Sequence, residues 1–457
     1  MKPIQSNSSD SLRPLNEPEI PDGWTLERIG DLISITSGKS IKNSEYSKTP
    51  DRPYPVAGAG GPIGWSDEFN FLPPIITLGR VGSAGSLNVY HTNTWVTDNT
   101  LVLKPNEKIL LPFLSNYLRT IDWNELSTGS TQPLITQTIV KNIPIILPPL
   151  TEQQRIVAHV EALLTQINTA RERLNRVPLI MKKFRQAVLA AACSGRLTEG
   201  WRGDHPNIET SSKTLENTYK KLRDEITLKI IQKRTKIAED SPDFEISFEI
   251  PESWCWAKLE TLAAFEKNAM TDGPFGSNLK TEHYSHTGPR VIRLQNISEG
   301  AFIDIKTHIS QSHFETLLKN QIFSGEIAIG LLGDPIPRAC IIPDGIGPAI
   351  VKADCIRFKP NSDLALVEFL VYAINEPELC TQTMESVHGV ARPRLNLTQI
   401  KNYKIPLAPL AEQHEVVRRV SMLFERADAI DREVAAAGRR CERMTQAVLG
   451  KAFAGKL

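Results

Sequence analysis

LTEQQRIVAHVEALLTQINTARERLNRVPLIMKKFRQAVLAAACSGRL, residues 150–197, decides the architecture of this chain because a related stretch occurs a second time. The second stretch, LAEQHEVVRRVSMLFERADAIDREVAAAGRRCERMTQAVLGKAFAGKL, occupies residues 410–457 and aligns without a gap at an offset of 260 (410 − 150). The residues that recur at this offset are Leu150, Glu152, Gln153, Val157, Val160, Leu163, Gln186, Ala187, Val188, Leu189, Ala192, Gly195 and Leu197. Self-similarity at a fixed offset predicts a chain built from two related halves.

Both stretches have the periodicity of a long amphipathic helix. Apolar residues of the first fall on one stripe of a 3.6-residue helix, and the second has apolar residues at the same positions. The stripes are Ile156, Val157, Val160, Leu163, Leu164 and Ile167, and Val416, Val417, Val420, Leu423, Phe424 and Ala427. Charged residues outside the stripes indicate two solvated helices that pack on each other. Pro178 and its counterpart Gly438 are weak helix formers, so we expect a kink or short break there.

The composition is typical of a soluble globular protein of two to four domains, with 457 residues, 40% hydrophobic and 23% charged. The sequence has no apolar run of membrane-spanning length and no apolar signal core, so we expect no membrane association. Six scattered cysteines without a CxxC pair predict a reducing cytoplasm and no disulfide framework. The net charge is only +1, so bulk charge gives no support to a nucleic-acid role; if the chain binds DNA, local patches or a partner must supply the positive field.

A globular segment precedes each helix, and the two segments begin alike, with PDGWTLERIGDL at 21–32 and PESWCWAKLETL at 251–262. Short apolar runs between turn residues predict strands, for instance at 74–78 and 99–103, and helices are expected at 111–121 and 365–374. We therefore expect two mixed α/β domains with twisted sheets. The predicted organisation is a flexible tail at 1–20, a first globular segment at 21–149, a spacer helix at 150–197, a linker with one amphipathic helix at 198–250, a second globular segment at 251–409 and a second spacer helix at 410–457.

Motifs for catalysis are hard to find in this sequence. The glycine-rich runs at 56–65 and 78–86 do not open a helix, so we interpret them as turns, although Arg80 in the second run could meet a phosphate or a base. The sequence has no Walker loop, no Asn-Pro-Pro-aromatic tetrapeptide, no GxSxG and no HExxH, and we predict no catalytic residue. The histidines between 283 and 313 lack partners at metal-ligand spacing, so we expect surface histidines and no metal site.

The helical stretches are similar to those of a known family. PPLTEQQRIV at 148–157, APLAEQHEVV at 408–417 and FRQAVLAAACSGRLTEGWR at 184–202 resemble the specificity subunit of type I restriction–modification systems. The resemblance covers nearly the whole chain from Pro21 to Leu457. Its specific part is the helices, so recognition residues cannot be transferred from the family to the globular segments.

The resemblance implies an adaptor that binds double-stranded DNA and carries no cofactor of its own. Each globular segment would read one half of a split DNA target. The two helices would pair antiparallel as a coiled coil, set the spacing between half-sites and dock two methyltransferase subunits. Two motor–endonuclease subunits would join the full complex, and S-adenosylmethionine, ATP and magnesium would belong to these partners. A chain with two related halves can also meet a duplex as a dimer would.

Other functions remain open at this point. An enzyme whose site the motifs do not reveal would be detected by assaying the chain alone with a methyl donor. A scaffold that binds two proteins through its repeated segments would show no sequence-selective DNA binding in its assembled complex. A specificity subunit of a fused restriction–methylation enzyme of another type is a variant of the favoured class.

Candidate DNA contacts are side chains that suit base edges and phosphates, with Arg to guanine the commonest specific pair. The candidates are Lys39, Lys42, Arg52, Arg80, Arg290, Arg293, Gln295, Asn296, Arg338, Arg392 and Arg394. We expect Arg293 and Gln295 to share one face of a strand. For any one of these residues, a solvated surface charge is an equally good explanation. The candidates for subunit assembly, at the helix starts, are Glu152, Gln153, Glu412 and Gln413.

Overall fold

The computed structural model describes residues 20–128, 133–227, 248–386 and 393–457. These residues form two compact units. The first consists of the described parts of Met1–Arg176 together with Val434–Leu457, and the second of the described parts of Val177–Glu433. Each unit contains one globular segment, part of the first long helix and part of the second.

The described residues of the first globular segment form two four-stranded sheets and a two-stranded ribbon. The strands are β1 Thr25–Arg28, β2 Ile33–Ser37, β3 Tyr46–Ser47, β4 Tyr54–Gly58, β5 Gly61–Ser66, β6 Ile75–Gly79, β7 Leu87–Tyr90, β8 Trp95–Val96, β9 Thr100–Pro105 and β10 Pro144–Leu147. The central sheet has the order β2-β9-β6-β7 and is antiparallel. The outer sheet has the order β3-β5-β4-β8, with β4 and β8 parallel, and β1 pairs with β10.

The central strands of this segment are buried on both faces, because alternate residues of a strand point to opposite sides. Ile76 and Leu78 of β6 pack in the core that includes the first long helix, whereas Ile75 packs with Val102 and the outer sheet. This two-sided burial explains the continuous apolar runs at 74–78 and 99–103. The helices of the segment are α1 Ile29–Leu32, α2 Leu111–Leu118, α3 Trp123–Leu126 and α4 Gln137–Asn142.

Three helices of the described residues precede the second globular segment. They are α5 Leu150–Cys193, α6 Glu199–Gly203 and α7 Ser211–Thr227. Helix α7 is the amphipathic helix that the sequence predicts within the linker, over about 211–237, and residues 228–247 of the linker lie outside the described residues. Leu222 on its apolar stripe is buried, and the Tyr219 hydroxyl donates to the Thr261 carbonyl at 2.9 Å. The stripe therefore packs on the second globular segment.

The second globular segment repeats the sheet plan of the first within its described residues. Its strands are β11 Cys255–Lys258, β12 Met270–Asp272, β13 Tyr284–Ile292, β14 His308–Ile309, β15 Gln321–Ile322, β16 Ile327–Gly330, β17 Arg338–Ile341, β18 Ala349–Val351, β19 Cys355–Phe358 and β20 Lys404–Leu407. The central sheet is β12-β19-β16-β17, the outer sheet is β14-β13-β18-β15 with β13 and β18 parallel, and the ribbon is β11-β20. The remaining helices are α8 Gln311–Thr316, α9 Val367–Ile374, α10 Pro377–Ser386, α11 Leu397–Lys401 and α12 Leu410–Phe453.

In each unit, the start of one long helix packs beside the end of the other. Ile156 and Val160 of α5 share a core with Leu449 and Ala452 of α12 in the first unit. Val188 and Ala192 of α5 share a core with Val416 and Val420 of α12 in the second unit. This arrangement requires antiparallel helices, which confirms the predicted fold class of mixed α/β segments with two long antiparallel helices.

We predicted a kink or a short break at Pro178 and Gly438. Both long helices run for 44 residues without interruption, so the break is absent from these fully described helices, and a kink stays a prediction. Pro178 removes only one backbone donor from a 44-residue helix, so the remaining hydrogen bonds can carry the helix through this position. Gly195 and Gly455 follow the helix ends with φ of +72° and +67°, as a helix C-terminus requires. Among the described residues, no helix is long and apolar enough to cross a membrane.

Candidate nucleic-acid interface

One end of the central sheet in the first globular segment gathers residues from four parts of the chain. The Gly38 amide donates to Thr100 O at 3.1 Å, and the Arg80 amide donates to Asn99 O at 3.0 Å. The Ile135 amide in turn donates to Arg80 O at 3.0 Å, next to a bridge between Val81 and Leu134. We call Gly38, Lys39, Arg80, Asn99 and Leu134 the first sheet end.

The second globular segment forms the same backbone arrangement. The Gly273 amide donates to Cys355 O at 3.2 Å, the Leu331 amide to Asp354 O at 2.9 Å, and the Leu395 amide to Leu331 O at 3.0 Å. Leu332 and Arg394 form the bridge that corresponds to Val81 and Leu134. We call Gly273, Phe275, Leu331, Asp354 and Arg394 the second sheet end.

Glycine is required at the matching position of both sheet ends. A Cβ on Gly38 would lie 2.2 Å from Val96 O, and one on Gly273 would lie 2.1 Å from the carbonyl carbon of Lys352. No side chain fits at these distances, because real Cβ atoms essentially never approach closer than 3.0 Å. The loops after β2 and β12 are thus held against the outer sheets, through Val96 of β8 in one segment and Lys352, which follows β18, in the other.

The two sheet ends differ in side chains although their backbones match. The first carries Arg80 at the end of β6 and Leu134 on the neighbouring bridge. The second has leucine at the strand-end position, Leu331, and arginine on the bridge, Arg394. One backbone framework therefore presents a guanidinium from different places in the two segments.

Arg394 is held by two neighbours in the second sheet end. Its Nε lies 2.7 Å from Asp354 Oδ1, and its guanidinium lies over the Phe275 ring at 5.3 Å from the ring centroid. Half of the Arg394 side chain remains exposed (50%). The sequence singled out Arg394 but missed Asp354 and Phe275. Alignment of Gly273 with Gly38 is the signal that could have pointed to them.

The candidates of the first globular segment lie at or near the first sheet end. Lys39 is exposed, and its backbone is fixed by hydrogen bonds to Val96 O and from the Trp95 indole. Arg80 is half-buried, and its Nε has no hydrogen-bond partner among the described residues. Lys42 is exposed on the following loop. These cationic groups can contact an anionic or polar ligand from this side of the segment.

Arg52 is a more constrained candidate of the first globular segment. Its Nη1 donates to Glu45 O at 2.9 Å and lies 3.4 Å from the Asp67 carboxylate. The Arg52 charge is therefore partly neutralised, and we treat it as a possible phosphate contact rather than a base reader.

Two candidates of the second globular segment have structural roles instead. Arg290 is 6% exposed and donates to Asp304 Oδ1 at 2.6 Å, which lowers the pKa of that carboxyl group. Arg338 donates to the carbonyl oxygens of Ile297 and Leu332 at 2.8 and 3.1 Å, and to Leu294 O as well. Because neither guanidinium is available for DNA, we remove both from the candidates.

The run around Arg293 is not the strand that we predicted. Strand β13 ends at Ile292, and Leu294–Asn296 form a 3-10 turn, so Arg293 and Gln295 do not share a strand face. Asn296 is fully buried, where its Nδ2 donates to the carbonyl oxygens of Ile303 and Ile305. Asn296 closes the turn and cannot read a base, whereas Gln295 is exposed and Arg293 half-buried. Arg392 lies outside the described residues.

A cavity of about 650 Å³ adjoins the second sheet end, lined by Phe275, His283, His313 and Lys319 among others. The His283 and His313 rings stack at 3.6 Å, and His313 Nε2 lies 2.9 Å from Asn278 O. Among the described residues, no group of three or more His, Cys, Asp and Glu side chains is placed to hold a metal ion. The histidines thus add polar groups beside Phe275.

The assembly candidates at the helix starts bind their own globular segments. Gln153 and Gln413 lie in the first turns of α5 and α12 and are fully buried. The Gln153 side chain accepts from Leu110 N at 2.8 Å and donates to Lys108 O and Pro148 O. Gln413 makes the same set of bonds, with Leu366 N, Leu364 O and Ala408 O as its partners. Neither glutamine can touch another subunit directly.

The two glutamates differ in their surroundings. Glu412 is fully buried and accepts hydrogen bonds from Thr198, Arg202 and the Trp254 indole. Glu152 is partly exposed and pairs with Arg155, whose hydrogen bond holds the pKa of this carboxyl group below its usual value. Glu412 therefore connects the start of α12 to the residues that follow α5. Glu152, by contrast, keeps part of its carboxylate on the surface of the protein.

The two segments share one backbone framework and differ in the side chains that it carries, as two copies of one kind of domain do. Residues 21–179 and 294–435 match the model of the type I restriction modification DNA specificity domain, and the chain belongs to this family. It is 28% identical over 463 residues to the type I restriction enzyme EcoBI specificity subunit of Escherichia coli, with 96% of this chain and 87% of the relative covered. The EcoDI specificity subunit of Escherichia coli is 26% identical over 447 residues, with 96% and 90% covered.

A solved structure has the same fold. It is a chain described under "Structural basis underlying complex assembly and conformational transition of the type I R-M system". Its TM-score is 0.64 at 17% identity, with 96% of this chain and 100% of that chain covered.

Proposed function

We propose that this chain is the DNA-recognition subunit of a type I restriction–modification complex and that each globular segment reads one half of a bipartite target. The matched sheet ends carry this proposal. A shared framework would approach DNA in the same way in both segments, while the exchanged positions of arginine and leucine would give each segment its own sequence preference. The membership in the DNA specificity family supports the same conclusion.

The proposed contacts divide into base readers and phosphate contacts. Arginine reads guanine and glutamine reads adenine in the major groove, whereas lysines and backbone amides position the protein on phosphates. We assign Arg80, Arg293, Gln295 and Arg394 as the candidate base readers, and Lys39, Lys42 and Arg52 as the candidate phosphate contacts. Arg392 stays a candidate from the sequence alone.

We further propose that the long helices set the spacing and dock the methyltransferase subunits. Several apolar side chains of these helices are exposed, which is unfavourable unless a partner covers them. In the second unit these residues are Leu179, Ile180, Phe184, Met422 and Ile430, with exposures from 36% to 61%. The proposed occupants are two methyltransferase subunits, and partly exposed Glu152 is placed to contribute a charged contact.

The proposed complex distributes its chemistry among other subunits. This chain would be non-catalytic and would work in the cytoplasm, where its cysteines stay reduced. The methyltransferase subunits would bind S-adenosylmethionine, and two motor–endonuclease subunits would use ATP and magnesium.

Methylation-aware genome sequencing tests the proposed function. A host that carries this chain together with its methyltransferase subunit should acquire methylation at one bipartite sequence with a fixed spacer. Removal of the chain should abolish that methylation. Methylation of the same sequence by the methyltransferase alone, or by this chain alone with a methyl donor, would overturn the proposal.

A further inference from the structure

We propose that Arg394 reads a guanine in the half-site of the second globular segment and that Asp354 and Phe275 orient it for that contact. This inference rests on the proposed function and extends it to one residue and one base. The supporting observations are the geometry around the guanidinium, the charge next to it and the comparison with the first sheet end.

Asp354 and Phe275 restrict the guanidinium in complementary ways. The Phe275 ring covers one side of the guanidinium, with the ring centroid 5.3 Å from the guanidinium carbon, and Asp354 Oδ1 forms an ion pair with Nε at 2.7 Å. A contact through Nε leaves the Nη1 and Nη2 groups for other acceptors. Two donors on a planar fork match the O6 and N7 acceptors of guanine, which is the commonest specific arginine contact.

The position of the carboxylate is itself fixed by the backbone. Asp354 has φ of +66°, a conformation that Asp and Asn tolerate better than most residues. Its carbonyl oxygen accepts from the Leu331 amide at 2.9 Å, at the end of β16. Asp354 therefore extends from a rigid turn of the central sheet and is a positioning residue for Arg394.

The charge of Asp354 favours a base edge over a phosphate as the target. A carboxylate beside the guanidinium offsets its positive charge, which weakens attraction to an anionic phosphate. Discrimination between bases depends instead on the direction of the donors, which the carboxylate improves. A neutralised but oriented arginine therefore suits guanine better than the DNA backbone.

The first sheet end differs at each of these positions. Leu134 stands in place of Arg394 and Asn99 in place of Asp354, while Lys39 follows the glycine where the second segment has Pro274. This orienting group is thus specific to the second globular segment. The guanine that we assign to Arg394 should therefore belong to only one half-site.

The test uses the full chain expressed with its methyltransferase subunit, with methylation measured at genomic sites that differ by one base. Arg394→Ala and Arg394→Lys should each reduce discrimination at one guanine of one half-site by about 5- to 150-fold, the range for a bidentate base contact. Lysine should fail as well because it lacks the planar fork. Asn tolerates a positive φ as Asp does, so Asp354→Asn should keep the backbone conformation at this position. The variant carries the residue that the first sheet end has there, Asn99. It should reduce discrimination at the same guanine by a smaller factor.

Lys359→Ala is the matched control. Lys359 follows the other end of β19, is 42% exposed and pairs with Glu266 at 2.6 Å, so its loss removes one positive charge away from the second sheet end. It should leave every base preference unchanged. Thermal unfolding of the Arg394→Lys protein should match that of the unmodified chain.

Three results would overturn the inference: equal weakening at all sequences in the Arg394 variants, a change at a base pair without guanine, or a change shared by the control. These results are distinguishable from failure of the proposed function. If the proposed function is wrong, the unmodified chain directs no bipartite methylation at all. If only this inference is wrong, the unmodified chain still directs bipartite methylation, and the Arg394 variants either give one of these three results or leave the preference at every position unchanged.

Discussion

At the residue scale, Gln153 and Gln413 show how a short repeated motif fixes a helix to a globular segment. Each side chain satisfies one amide and two carbonyl oxygens of the neighbouring backbone while excluded from water. Buried backbone groups that lose their partners are costly, and no other side chain of this size both accepts and donates in the same way. The recurrence of this residue therefore reflects folding within each unit.

Gln413→Ala tests this role. Loss of three hydrogen bonds leaves one amide and two carbonyl groups unsatisfied, so the free energy of unfolding should fall by about 2–4 kcal/mol. Urea unfolding followed by tryptophan fluorescence measures the change. Gln154→Ala, at an exposed position of the other helix, is the control and should stay within about 0.5 kcal/mol. An altered methylation sequence in an assembled Gln413→Ala complex would contradict the structural role.

Arg80 is the corresponding test of base reading in the first globular segment. Arg80→Ala should cost about 1–3 kcal/mol of discrimination at one position of one half-site. The half-site should be the one that Arg394→Ala leaves unchanged. DNA-binding assays of the assembled complex on duplexes with single-base changes measure the effect.

Arg119→Ala, which removes an exposed arginine at the end of α2, is the control for Arg80→Ala. It should weaken no position selectively. If Arg80→Ala weakened all duplexes equally and reduced the salt dependence, Arg80 would be a phosphate contact instead.

At the element scale, the long helices combine two kinds of contact. Their ends are built into the cores of the globular segments, whereas apolar residues such as Leu179 and Ile180 remain exposed. The first kind stabilises each unit, and the second is available to a partner. A change in helix length must therefore preserve the end contacts if it is to test spacing.

Insertion of one heptad after Arg176 and another after Glu433 meets this condition, because both points lie at the boundary between the units. Each helix should lengthen by about 10 Å. The methylated sequence should keep both half-sites with a longer spacer, or activity should be lost if no such site is reachable. An insertion after Leu163 is the control. It displaces Leu164 from the core in which Ile156 and Val160 lie, so it should destabilise the first unit. An unchanged spacer with full activity would mean that the helices do not set the distance.

At the scale of the whole molecule, the internal repeat makes the two globular segments interchangeable parts. Both begin with a proline that packs on a positive-φ glycine, Pro21 on Gly455 and Pro251 on Gly195. Both meet their helix through a buried glutamine that binds the carbonyl before a Pro-Leu pair. The contacts between each globular segment and its long helices are therefore equivalent, although the side chains at the two sheet ends differ.

Replacement of residues 21–149 by a second copy of residues 251–409 should produce a folded chain. Because two related halves meet a duplex as a dimer would, the complex should methylate a target in which the half-site of the second segment occurs twice, as an inverted repeat with the same spacer. Genome-wide methylation mapping measures this directly. The control is a chain that is rebuilt with the same cloning junctions but keeps each segment in its original place. Retention of the original bipartite target after the replacement would show that the half-sites are not read by the segments.

The sequence by itself determined the repeat, the long helices and the family. These follow from periodicity and from residues at a fixed offset, which depend on local spacing along the chain. The strands at 74–78 and 99–103 and the helices at 111–121 and 365–374 were likewise predictable, because apolar runs and turn residues determine such elements locally. The alternative of a short break at Pro178 was wrong, because proline removes only one backbone donor from a 44-residue helix, whereas a kink at this position stays a prediction.

Only the tertiary structure decided which polar side chains can meet DNA. Arg290, Asn296 and Arg338 have the same residue types as base readers, yet their hydrogen bonds to Asp304 and to backbone carbonyls become visible only in the folded chain. Arg394 acquires its orientation from Asp354 and Phe275, which lie 40 and 119 positions earlier in the chain. Side-chain roles at a site depend on burial and on partners that are remote in sequence. Local patterns carry no information about either.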